Sequence, residues 1–163
     1  MKEVKEWIKS FLFALAIVIP ISIFCRPTVV RGSSMQPTLY DRNIVVTQKN
    51  IGSLKHGEVV IFDARPIDDE LYIKRVIGLP GETVEIKGGF VYVNNKKLDE
   101  PYLESDTRTD PDMKVIVPKG EVFVLGDNRL VSQDSRVIGT IPIKKIKGHA
   151  YFRVFPFNKM GKF

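Results

Sequence analysis

Cysteine and histidine are almost absent from this 163-residue chain. The single cysteine, Cys25, excludes a disulfide within the chain, and its place in an apolar run fits inert packing. The two histidines, His56 and His149, each sit beside a glycine in a basic setting, and neither lies in a motif with an acid. A Ser–His–Asp site is therefore not expected. No HExxH, CxxC, Walker or dinucleotide-binding pattern occurs, so neither a metal site nor a cofactor is expected. A recognition helix and aromatic ribonucleoprotein motifs are also missing, which argues against a nucleic-acid partner. The net charge of +6 points instead to an anionic neighbour such as lipid headgroups.

One long uncharged stretch is present. Residues 11–25 read FLFALAIVIPISIFC. As a helix they would span about 22 Å, against about 30 Å for a hydrocarbon core. Trp7 and Ile8 extend the stretch on one side and Pro27 to Val30 on the other. Lys9 and Arg26 are placed to snorkel, and Trp7 suits an interfacial belt. Pro20 is tolerable in a membrane span. A cleavable leader fits less well, because the A-x-A at Ala14-Leu15-Ala16 lies inside the apolar run. The stretch is read as an uncleaved transmembrane anchor over 11–28. Lys2, Lys5 and Lys9 precede it and tip the positive-inside rule toward a cytoplasmic segment 1–10. Residues 29–163 then form one domain on the outer face.

Beyond the anchor the sequence reads as strands. Ile44–Thr47, Glu58–Phe62, Leu71–Leu79, Thr83–Lys87, Phe90–Val93, Lys114–Val117, Val122–Leu125 and Ala150–Phe155 are rich in β-branched and aromatic residues. Gly88-Gly89 between two runs predicts a tight hairpin, and Asn94-Asn95 a second turn. Such short strands with frequent turns predict a mostly β fold, an antiparallel sandwich or partly closed barrel. Residues 99–112 are acidic and polar with two prolines and read as a surface loop. No acidic residue occurs over 144–163, where lysines interleave with Phe152, Phe155, Phe157, Met160 and Phe163. A final strand over Tyr151–Phe155 is expected, followed by a membrane-surface patch over Phe157–Phe163.

Three segments concentrate polar chemistry. Gly32-Ser33-Ser34-Met35-Gln36-Pro37-Thr38-Leu39 follows the anchor and offers two serines as nucleophiles. Tyr72-Ile73-Lys74-Arg75-Val76 places two cations inside an apolar strand. Period two gives Lys74 and Arg75 opposite faces, so one of them is expected to point inward. A buried lysine is costly unless neutral or paired. Holding it neutral near pH 8 requires a pKa depression of about 2–3 units, roughly 3–4 kcal/mol. Gly126-Asp127-Asn128-Arg129 through Ser132, Asp134, Ser135 and Arg136 ends a strand in a loop dense with hydrogen-bonding groups.

Taken together and in order, these segments resemble the type I signal peptidases, bacterial serine proteases with a Ser–Lys dyad. Gly57-Glu58-Val59-Val60-Ile61-Phe62 resembles that family's remaining strand motif. The resemblance implies Ser34 as nucleophile and Lys74 as general base. It implies that Ser132 orients Lys74 and that Asp127, Asp134, Arg75 and Arg136 form supporting ion pairs. Met35, Pro37, Tyr72 and Ile61 are expected to contact substrate. It further implies preprotein substrates with small residues at the first and third positions before the cut, and a minimal second β lobe. One position departs: some members carry a second oxyanion-hole serine two residues before the nucleophile, and here Gly32 stands there. The hole is then expected to rest on backbone N–H groups. The alternatives are a membrane-tethered binding module without activity and a self-cleaving Ser–Lys peptidase. A penicillin-binding-type acylase would need lysine where Pro37 stands.

Overall fold

The computed structural model describes residues 2–49, 52–67 and 69–163, with the side chains of 2–3 and 17–25 outside that description. An N-terminal helix, α1 (Lys2–Phe24), runs directly into β1 (Cys25–Val29). The strands that follow are β2 (Ile44–Gln48), β3 (Val59–Asp63), β4 (Leu71–Gly78), β5 (Thr83–Lys87), β6 (Phe90–Val93), β7 (Lys96–Lys97), β8 (Met113–Ile116) and β9 (Glu121–Leu125). A four-residue helix, α2 (Ser135–Ile138), precedes β10 (Ile141–Pro142), β11 (Ile146–Phe155) and β12 (Gly161–Lys162).

Among the described residues the strands form two antiparallel sheets. The larger has the order β1-β2-β11-β3-β4-β9-β10, with β12 paired to β11, and the smaller the order β7-β6-β5-β8. Both are open, so the fold is not a closed barrel. The predicted turns are present: Gly88 and Gly89 join β5 to β6, and Asn94 and Asn95 join β6 to β7, all at positive φ. Such backbone matches the right-handed twist of the flanking strands.

Alternation along the strands sorts the core. Val59 and Ile61 of β3 join Val45, Ile73 and Ala150 in one cluster, while Val60 and Phe62 join Val76, Val122 and Val124 in another. A third cluster packs Ile77, Phe123 and Leu125 of the large sheet against Val84, Ile86, Val91 and Val93 of the small one. Gly78 sits where these sheets meet, and a side chain there would run into Val84, Val117 and Phe123. Strand β4, flanked by β3 and β9, is buried from Ile73 onward.

The structure revises several expectations. Residues 25–28, assigned to the anchor, belong instead to β1, which pairs with β2 from Cys25↔Gln48 to Val29↔Ile44. Among the described residues no helix is long and apolar enough to cross a membrane. The described side chains of α1 include the charged Lys5, Glu6 and Lys9, and much of the apolar run lies outside the described side chains. The segment 99–112 is more than a surface loop, since Thr109 is buried. The C-terminal residues do not form a uniform surface patch: β12 pairs with β11, and Phe163 packs against the first core cluster. Phe157 and Met160 are exposed.

Candidate active site

The serine-bearing segment between β1 and β2 is anchored by its own apolar residues. Met35 and Leu39, 1% and 0% exposed, enter the first core cluster, and the Leu39 N–H donates to Met35 O at 2.8 Å. With Met35 and Leu39 pointing inward, Ser34 is left half-buried at the wall of a cleft of about 580 Å³. Met35, expected to contact substrate, is thus a core residue, because its apolar side chain is worth more in the interior. Pro37 also lies outside the cleft wall, whereas Gly32, Ile61 and Tyr72 belong to it.

Lys74 reaches this wall from β4. Its Nζ donates to Ser34 Oγ at 2.8 Å and to Ile73 O at 3.0 Å. Lys74 is only 4% exposed. Burial lowers its pKa from 10.5 to about 8, working against the charges of Asp134 and Asp127, which raise it. The Tyr72 ring lies 5.1 Å from Nζ, and the Tyr72 hydroxyl donates to Gln133 Oε1 at 2.9 Å, linking β4 to the loop after β9.

Arg75 is as buried as Lys74, at 3% exposed, so both cations lie inside rather than one. An arginine cannot shed its charge in a protein, and Arg75 is accordingly bonded through all three of its nitrogens. Nε and Nη2 donate to the Asp127 carboxylate at 2.8 and 2.6 Å, and Nη1 donates to Gly57 O at 2.7 Å. Thr38, from the serine segment, donates to the same carboxylate. A second pair joins Arg136 to Asp134 through Nε and Nη2, both at 2.8 Å. Asp134 also caps α2 and accepts the Gly126 N–H at 2.9 Å. Burial pushes its pKa up, but the hydrogen bonds from Arg136 and Gly126, the Arg136 charge and nearby Ser132 bring it below the ordinary carboxylate value.

The loop after β9 presses directly on the serine. Asn128 N–H donates to Ser34 O at 3.0 Å. A side chain at Gly126 would collide with Ser132 Oγ and Ser34 O, so glycine is required there by close approach. Ser132 Oγ is buried with no hydrogen bond of acceptable geometry among the described residues. It packs against Gly126 and makes no hydrogen bond to Lys74 among the described residues. Gly32 adopts φ +78°, and its N–H donates to Asp41 Oδ1 at 2.9 Å. His56 has an acid partner that the sequence did not reveal, Glu82 Oε2 at 2.7 Å. Neither histidine lines the cleft.

Two contacts reach beyond the residues expected at the site. Arg129 is buried and paired with Glu100, and Tyr102 stacks on Arg75 at 4.0 Å. Arg129 belongs to the Gly126-Asp127-Asn128-Arg129 motif. Glu100 and Tyr102 sit in a polar stretch with no periodicity to betray them.

A serine hydroxyl touching a buried lysine at a cleft, on an open antiparallel β scaffold, defines a candidate hydrolytic site without histidine. The family model described as signal peptidase, peptidase S26, matches residues 4–155. The chain is 41% identical to signal peptidase I S of Bacillus subtilis (strain 168), covering 99% of this chain and 94% of that one. It is 41% identical to signal peptidase IB of Staphylococcus aureus (strain COL), covering 97% and 93%. A crystal structure of a signal peptidase I from Enterococcus faecalis V583 superposes with a TM-score of 0.54 at 31% identity, over 61% of this chain and 97% of that one. The chain belongs to the signal peptidase, peptidase S26, family.

The depressed lysine pKa has a consequence for stability. Between about 8 and 10.5 the unfolded chain holds a proton on Lys74 that the folded chain does not. Stability therefore rises with pH across that window. Lys74→Met removes the buried charge, and at pH 7 it is expected to stabilise the fold by about 3 kcal/mol. Denaturant titrations should show that gain shrinking as pH rises from 8 to 10.5. A gain independent of pH, or none, would contradict the burial argument.

Proposed function

We propose that this chain is a membrane-anchored serine endopeptidase that removes signal peptides from exported preproteins, with Ser34 as nucleophile and Lys74 as general base. The observation that carries this reading is the 2.8 Å contact between Lys74 Nζ and Ser34 Oγ, made by a lysine whose burial holds its pKa near 8. In the free-base form Nζ accepts the Ser34 proton as Oγ bonds to the scissile carbonyl carbon. The resulting ammonium returns the proton to the departing amine as the C–N bond breaks, leaving an ester on Oγ. Water then attacks the ester carbon, losing a proton to Nζ, and that proton passes to Oγ as the ester C–O bond breaks, restoring Ser34 and the free-base Lys74.

The oxyanion needs donors. The Ser34 N–H has no hydrogen-bond acceptor among the described residues, which leaves it available. Gly32 offers no side chain, and its N–H is committed to Asp41. The cleft walled by Tyr72 and Ile61 can take an extended substrate strand, and family resemblance implies small side chains at the first and third positions before the cut. Asp127 and Asp134, held by Arg75 and Arg136, keep the loop after β9 in place against Ser34.

Ser34→Ala and Lys74→Met are expected to abolish preprotein cleavage, whereas His56→Ala and His149→Ala are expected to leave it intact. Full activity in Lys74→Met would end the reading. Because the free base is the active form, kcat/KM should climb about tenfold per pH unit below pH 8 and level off above the Lys74 pKa of about 8. A profile already flat from pH 6 would rule out Lys74 as the base.

For location, we propose a cytoplasmic segment 1–10, an anchor that starts at residue 11 and ends with α1 at Phe24, and a peptidase domain from β1 onward on the outer face. Trp7, Phe11, Leu12 and Phe13 are exposed on α1, an arrangement that lipid would cover. Phe157, 76% exposed, Met160 and nearby lysines provide a second lipid-facing patch. Full-length protein should stay with membranes through alkaline carbonate washing. Its release by that wash would remove the anchor from the proposal.

A further inference from the structure

Arg75 and Arg129 are both buried at 3% exposure, and both lie close to the dyad along the chain or through one contact. Arg75 follows Lys74 on β4. Arg129 Nε donates to Gly126 O at 3.0 Å, and Gly126 is the residue pressed against Ser34 O. The outer sides of both guanidinium groups are closed by one segment, which connects β7 to β8 of the small sheet. The Tyr102 ring lies 4.0 Å from Arg75 Cζ. Glu100 takes both Nη groups of Arg129, and Thr109 Oγ1 accepts from Nη1 as well. The Tyr102 hydroxyl donates to Glu100 Oε1 at 2.9 Å, tying the two clasps together.

We propose that Glu100 and Tyr102 are positioning residues for the Ser34–Lys74 pair, so that the small sheet serves the reaction by holding two arginines in register. This rests on the dyad reading given above. A guanidinium is charged at every accessible pH, so a buried one deprived of its carboxylate turns to other acceptors or to water. For Arg129 that movement pulls on Gly126 O and hence on the loop supporting Ser34. For Arg75, loss of the aromatic face loosens the residue next to Lys74. A small displacement of reacting groups suffices to cost catalysis without altering substrate binding.

The test uses the full-length enzyme in membranes or detergent, with a preprotein substrate and a serine-directed acylating probe. Glu100→Gln keeps the shape and removes the charge. It is expected to lower kcat on the order of 10- to 100-fold, with KM little changed and probe labelling of Ser34 slowed in proportion. Tyr102→Phe keeps the ring over Arg75 and should retain most of kcat, whereas Tyr102→Leu should not. Circular dichroism and melting curves establish the folded fraction of each variant. Glu100→Gln and Tyr102→Leu that are folded and work at the wild-type kcat would overturn the proposal. So would losses that match the unfolded fraction alone. If Glu100→Gln fails to fold, the Phe and Leu variants of Tyr102 decide by the same criterion. Activity in Ser34→Ala would instead overturn the dyad reading, whereas an inactive Ser34→Ala beside a fully active Glu100→Gln would overturn only the positioning role.

Discussion

A primary amine on a strand buried on both faces has two stable options: shed its proton or face a counter-charge. Lys74 occupies such a strand, and its nearest polar contacts are a hydroxyl and a peptide carbonyl rather than a carboxylate. Asp127 and Asp134 are near enough to pull its pKa upward, yet burial outweighs them. The balance works because each aspartate is already engaged by its own arginine, at 2.6 Å for Asp127 and 2.8 Å for Asp134. A free carboxylate at either position would hold the ammonium form of Lys74 more firmly.

Lysine and arginine side by side on β4 illustrate how differently the two cations tolerate an interior. Arg75 keeps its charge and is surrounded by Asp127, Gly57 O and the Tyr102 ring. Lys74 can lose its charge and has few partners. The same strand therefore carries a structural cation and a titratable one in adjacent positions, and the surroundings rather than the strand distinguish them. Burying a saturated ion pair adds little net stability, so the Arg75–Asp127 contact is better understood as fixing geometry than as strengthening the fold.

Much of this was legible in the sequence. Gly88-Gly89 and Asn94-Asn95 predicted their turns because positive φ restricts the residues that fit. The longer strands showed as β-branched runs. Lys74 is legible as a cation in an apolar strand, and Ser34 through its motif. What escaped depended on contacts distant in sequence. Nothing in Glu100-Pro101-Tyr102 signals that it will meet Arg129 and Arg75, since that pairing is created by how the small sheet folds back. Met35 was expected to contact substrate through the family resemblance, and its apolar side chain instead enters the first core cluster. Residues 25–28 looked like the end of the apolar run, and only pairing with β2 makes them a strand.

That pairing has a geometric outcome. Helix α1 ends at Phe24, β1 begins at the next residue, and Thr28, Val29 and Val30 already form part of the cleft wall. With no slack loop between, the offset between helix end and cleft is set by four to six residues of extended chain, roughly 13–20 Å. Locked into the sheet by β2, β1 works as a ruler. In the membrane-anchored peptidase proposed above, that fixed offset would set the height over the lipid at which a chain is cut.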